Sequence, residues 1–305
     1  MKMKTNINMQ TGIVWMACLM LGVAMVACSS DADEPENNDG RKLRQLTITD
    51  VPMTRATLTD NDKTLGASWE AGDKATYFNL SSFTSTNIDS DVLTASSTSE
   101  TTIFTGTVRC NDNDQIALIY PKTQLVTTGN DRGKFSINLA DQKGTLSDIA
   151  EHYHYLYGVA QITSVTSTTA NATISSMKPQ LAVAKFVFKD AANSNAEIPV
   201  KTLKISYANE YGTRGYPTTV IFNPSPGEIN LPSPEQWEEQ TLTVNLDTET
   251  SDGVYVALLP CGNEQFNEQF FFSVTGSNGT YTGTASAKLA AGKYYPVTLK
   301  LNKAN

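Results

Sequence analysis

The chain has 305 residues, enough for one large or two ordinary domains, and 40% of them are apolar, enough for a real core. Charged residues make up 18%, the formal charge is −8, and no basic patch stands out beyond residues 41–44. Phosphate-backbone binding needs clustered Lys and Arg, so this balance argues against nucleic acid as a partner.

Residues 1–27 read as a targeting segment to be set aside before fold reasoning. Lys2 and Lys4 form a charged start, and Ile13 to Ala27 is an apolar run. At about 15 residues the run is short for a membrane-spanning helix, which needs about 20. It ends in Met25-Val26-Ala27-Cys28, followed by Ser29-Ser30, and this order resembles a bacterial lipoprotein cleavage box. The resemblance implies cleavage before Cys28 and acylation of that residue. An ordinary signal peptide cut nearby is the alternative, and Cys18 has too few apolar residues before it to compete. Several acyl chains on Cys28 would make a durable anchor, since one chain alone holds only marginally. Residues 28–40 follow as an acidic tether without apolar periodicity, as solvated chain should be.

Residues 41–55 contain the first folded-looking stretch. Leu46 and Ile48 alternate with Thr47 and Thr49, as in a half-buried strand, and Pro52 stops the ladder for want of an amide proton. Arg55, inside Met53-Thr-Arg-Ala-Thr57, stands in an exposed linker. From Trp69 onward, apolar alternation is punctuated by turn residues. Strands are expected over 75–80, 102–108, 115–120 (fully apolar, stopped by Pro121), 134–139 and 172–177. Residues 81–102 read as a hairpin or loop, and Asn111–Asp114 as a turn. Residues 141–160 are ambiguous: Ser147 caps a short helix, or 152–159 is one strand. Lys178-Pro179 is a plausible joint. Beyond it come strands at 181–188, 200–207, 218–222, 241–246, 253–259, 270–275, 280–287 and 294–301, with an irregular four-proline loop at 223–236. Two β-sandwiches in tandem, 56–177 and 178–305, suit this better than one sheet, because open sheets rarely exceed about ten strands. Thr, Val, Ile, Tyr and Phe are plentiful, which is the composition of an all-β chain.

Candidates for chemistry are few. His152 and His154 would share a strand face but have no local third ligand, so a structural or surface role is favoured over a metal. Tyr153, Tyr155 and Tyr157 alternate with them and suit core packing better than a sugar platform. Asn111–Asp114 and Asp60–Asp62 are oxygen-rich but lack the Gly and downstream Glu of a calcium loop. Glu238-Glu239 has no acidic partner opposite for a glycosidase pair. No Gly-x-Ser-x-Gly, phosphate loop or Cys/His pairing occurs, so neither catalysis nor a cofactor is expected. Cys110 and Cys261 are either two buried thiols or one disulfide.

The order of features resembles the fimbrillins, the pilin-like lipoproteins of type V pili on Gram-negative anaerobes. The matching pieces are the box at Cys28, Thr54-Arg55-Ala56-Thr57, Trp69-Glu-Ala-Gly-Asp73, Ile119-Tyr120-Pro121 and Asp141-Gln142 with Tyr155-Leu156-Tyr157. Leu181-Ala182 and the ending Leu289 to Leu301 also match. The resemblance implies an all-β fold of two tandem transthyretin-like β-sandwich domains. It implies an arginine-specific protease cutting between Arg55 and Ala56, with Arg44 as the alternative that would leave the strand attached. It implies partners too: other fimbrial subunits by strand insertion, outer-membrane lipid before processing, and a host protein or glycan. The location implied is the cell outer membrane and surface, in a fimbrium. A donor must be extended, alternating and terminal, and Tyr295, Val297, Leu299 and Leu301 meet that description. The competing reading is a monomeric surface lipoprotein that binds glycan or host protein; anchor and tip subunits are variants of the first.

Overall fold

A computed structural model describes residues 40–52, 57–82, 90–193, 196–208, 214–238, 240–260 and 269–304. The leader, Cys28, the tether through Asp39, Arg55, Ala56, Glu239 and Cys261 lie outside the described residues.

The first half contains β1 (Lys42–Pro52), β2 (Thr57–Asp60), β3 (Leu65–Ser68), β4 (Lys74–Asn79), β5 (Ser90–Ala95) and β6 (Thr101–Cys110). It continues with β7 (Gln115–Tyr120), β8 (Gln124–Leu125), β9 (Phe135–Asn138), the helical turn α1 (Leu146–Asp148), β10 (Leu156–Val165), β11 (Thr169–Ile174) and β12 (Lys178–Pro179). The sheet order is β11-β1-β6-β5-β4-β7-β10, and β10 pairs back onto β11. The sheet is therefore rolled closed, which removes its edges. Trp69 stands at the centre of its interior, edge-on to Phe104 at 5.0 Å and to Tyr120 at 5.3 Å.

The second half contains β13 (Ala182–Asp190), β14 (Val200–Ala208), β15 (Arg214–Gly215), β16 (Thr219–Asn223), β17 (Glu228–Asn230) and α2 (Pro234–Trp237). It closes with β18 (Leu242–Thr250), β19 (Val254–Leu258), β20 (Gln269–Gly276), β21 (Gly279–Ser286) and β22 (Tyr294–Lys303). Its sheet runs β15-β14-β20-β21-β22-β13-β19, with β18 also on β14. The chain is thus all-β, with two β-sandwich or barrel-like units in tandem.

The two units share material. The second core takes in Leu58 and Leu65 of the β2–β3 hairpin, Ile149, and Phe135 and Ile137 of β9. A small sheet, β17-β16-β9-β8, crosses between halves, pairing Phe135 with Phe222 and Ile137 with Val220. This explains why 116–120 is apolar throughout. Ile116, Leu118 and Tyr120 face the first core, while Ala117 and Ile119 face the second.

Most expected strands are present, with three corrections. The ambiguous stretch at 141–160 is helix and then strand: α1 and a wider turn over 149–153 precede β10. Thr145, not Ser147, is the cap, its Oγ1 accepting from the Asp148 amide at 3.2 Å. The loop at 223–236 carries β17 and the start of α2, whereas 81–102 holds β5 and its antiparallel pairing with β6, in keeping with the hairpin reading. The hairpin β2–β3 has no clear signature in the sequence, because four-residue strands rich in Thr, Asp and Gly give too short an apolar period to read.

Candidate strand-exchange site

β1 lies between two neighbours. It is antiparallel to β6, from Lys42 opposite Cys110 to Pro52 opposite Thr101, and parallel to β11, from Gln45 opposite Thr169 to Thr49 opposite Thr173. The alternation read from the sequence is the inward face: Leu46, Ile48 and Val51 are fully buried. The odd step from Ile48 to Val51 is taken by a bulge in which Asp50 adopts a left-handed φ of 51°. Asp is among the few non-glycine residues that tolerate this region.

Polar contacts fix both ends of the strand. Arg41 grips Asp114 with two hydrogen bonds, Nε to Oδ2 at 2.7 Å and Nη2 to Oδ1 at 2.9 Å. Burial alone would raise the Asp114 pKa; hydrogen bonds from Arg41, the Asn111 amide and Asn79 hold it below the ordinary carboxylate value instead. The Arg44 guanidinium is buried in the barrel wall and donates to three carbonyls, Thr166 at 2.7 Å, Lys42 at 3.3 Å and Cys110. The alternative cutting position, Arg44, is thus enclosed in the fold. At the far end the Trp69 indole donates to the Val51 carbonyl at 3.2 Å. The sequence showed the charges at 41–44 but not their partners, which come from Thr166 and Asp114, far along the chain.

The expected processing residues Arg55 and Ala56 lie outside the described residues, between Pro52 and Thr57. On one side β1 belongs to the first core; on the other Leu58 belongs to the second. Asp60 pins the hairpin to the second unit, accepting from Tyr255 Oη at 2.6 Å and Lys185 Nζ at 3.0 Å. Burial raises the Asp60 pKa, but these hydrogen bonds outweigh it and bring the value to about 2. The Tyr294 hydroxyl, at the head of β22, is buried beside this carboxylate.

β22 runs parallel to β13 along almost its whole length, from Tyr294 opposite Val183 to Leu301 opposite Asp190. Towards β21 it pairs only at its end, Lys303 with Tyr281 and Asn302 with Thr282. The two strands then diverge, leaving an apolar cleft of about 150 Å³ between them, lined by Ala285, Ala287, Leu289, Tyr295, Val297 and Leu299. Leu301 is buried, whereas Tyr295, Val297 and Leu299 are only half-buried. The last strand is thus seated along one edge and open along most of the other.

The remaining candidates resolve differently from a strand of paired ligands. His152 sits in the helical turn, exposed, with Nδ1 3.2 Å from Asp148 Oδ1, while His154 is buried beyond the turn, so they share no strand face. Tyr153 and Tyr155 are buried and bonded to the carbonyls of Ala140 and Asn138; Tyr157 packs on Phe222 and donates to Pro224. The oxygen-rich turns spend Asp60 on Lys185 and Asp114 on Arg41. Among the described residues no group of three His, Cys, Asp or Glu is placed to hold a metal ion. Glu238 is exposed beside Gly215, and Cys110 is buried in the first core.

No family model matches the chain. No curated protein matches it either. Among solved structures, the fold is similar to a Bacteroides uniformis protein provisionally described as a cell adhesion protein, at TM-score 0.50 and 17% identity over 86% of this chain and 93% of that one. A Bacteroides ovatus protein with the same provisional description is similar at TM-score 0.50 and 15% identity over 87% and 97%. A Bacteroides ovatus fimbrial protein superposes at TM-score 0.39 and 11% identity over 86% of this chain and 50% of that one.

Proposed function

We propose that this chain is a structural subunit of surface fimbriae that supports cell adhesion. It is exported as a lipoprotein through Cys28, trimmed between Arg55 and Ala56, and polymerised by strand exchange at the cell surface. Before trimming, acyl chains on Cys28 hold it to the outer membrane. β22 is the donor, through Tyr295, Val297, Leu299 and Leu301, and the vacated place of β1 is the acceptor.

One observation carries the reading: β1 is an internal strand of a closed sheet, yet only the segment 53–56 ties it to β2 and the rest of the fold. Cutting there leaves β1 held by non-covalent contacts alone. Losing it uncovers Leu46, Ile48 and Val51 from their pockets, on the order of 5–9 kcal/mol as an upper bound. It also unpairs the facing edges of β6 and β11, and open edges beside apolar pockets invite β-augmentation. A donor that leaves one copy to fill the next makes a contact that does not close on itself, so a filament grows. The fold likeness to two proteins provisionally described as cell adhesion proteins supports the same direction.

Deleting residues 294–305 tests the donor. The truncated protein should still be trimmed to Ala56 and should form no filaments of its own. Filaments of normal length from the truncated subunit would reject β22 as donor.

A further inference from the structure

We propose that the slot occupied by β1 is keyed by charge: the Asp114 carboxylate and the carbonyls of Thr166 and Cys110 admit a second copy's strand when it brings a cation beside its apolar alternation. The inference rests on the exchange reading above and names what that exchange selects.

A strand slipped by two residues keeps every inward side chain inward, so three aliphatic pockets in a row fix register only weakly. What marks one end of this slot is polar. Asp114 is nearly enclosed, its side chain 6% exposed, and Arg41 meets it with two hydrogen bonds. Next to it, Arg44 spends its guanidinium on carbonyls that belong to β6 and to the turn before β11. When β1 leaves, both cations leave with it. Among the described residues the carboxylate then keeps the Asn79 amide at 3.2 Å and the Asn111 backbone N–H at 2.8 Å. Removing one partner of an enclosed ion pair is costly, so a strand that restores a cation is preferred over one that fills the apolar pockets alone.

The donor is built to match. Arg44 stands two positions before Leu46, the first aliphatic residue of the inward face of β1. In β22 the inward set is flanked symmetrically: Lys293 stands two positions before Tyr295, and Lys303 two positions after Leu301. Both lysines are exposed in their own unit, with Lys303 Nζ 6.0 Å from the Tyr281 ring centre. Entering in the direction of β1, the strand puts Lys293 in the place of Arg44, before the Thr166 and Cys110 carbonyls and beside the Asn111 amide that holds Asp114; entering in reverse, it puts Lys303 there.

The test uses the full chain, cleaved after Arg55 and freed of residues 41–55, with the rate of filament growth as readout. Lys293→Met, Lys303→Met and the outward-facing control Lys300→Met are compared. One of the first two should slow growth about tenfold or more, a difference worth about 1.4 kcal/mol, and the control should not. Asp114→Lys should slow growth to the same extent, and mixing it with donors in which the responding lysine is replaced by Glu should restore the rate, a rescue that loss of folding cannot produce. Normal growth by both lysine variants, or no rescue, would overturn the charge key. If instead chains lacking 294–305 still polymerise, the donor reading falls on a separate measurement.

Discussion

Ile48 and Leu43 sit five positions apart on β1 and face opposite ways, the first fully buried and the second 43% exposed. Before trimming, Ile48→Ala should destabilise the protein by about 2–5 kcal/mol, read from the denaturant midpoint, because it leaves a cavity in the first core. Leu43→Ala should change stability by less than about 0.5 kcal/mol. Once residues 41–55 are gone, the two variants should be indistinguishable, since neither side chain remains. A second prediction concerns Asp60. Its folded pKa of about 2 lies below the ordinary 3.8, so its contribution is complete above about pH 4 and fades as pH falls towards 2 and the carboxylate is protonated. Asp60→Asn should remove that acid-side loss: the wild-type and variant unfolding midpoints should differ at pH 6 and converge near pH 2. A constant difference across that range would contradict the assignment.

At the scale of the element, β1 and β22 are the most legible parts of the chain. Both are long and alternate in their apolar residues, and β1 ends at Pro52, so period and punctuation agree. Contact across long separations is what the sequence hides. Arg41 meets Asp114 and Asp60 meets Lys185 and Tyr255, and no local pattern announces such partners. The histidines depart from the expected strand for a related reason: the Thr145 cap turns 146–153 into helix, while the tyrosine alternation there imitates a strand. The divergence of β21 from β22 makes its own prediction. Amide exchange within 294–301 should be faster than in β14 or β20, which are paired on both edges, and uniform protection would show that β22 is no easier to release.

At the scale of the molecule, two cores meet through shared elements, and the composition of residues 115–120 already hints at a strand buried on both faces. The position of the expected cut fits that arrangement. Residues 53–56 join a strand of the first core to a hairpin of the second, so cutting there frees β1 and leaves the hairpin pinned by Asp60. The most direct measurement compares wild-type protein and Arg55→Ala on the cell surface, with N-terminal sequencing and a gel of sheared material run boiled and unboiled. Wild-type polymers should begin at Ala56 and collapse to monomer only on boiling, and the variant should stay monomeric with β1 in place. Fibres of equal abundance and length from Arg55→Ala, still carrying residues 41–55, would contradict the account.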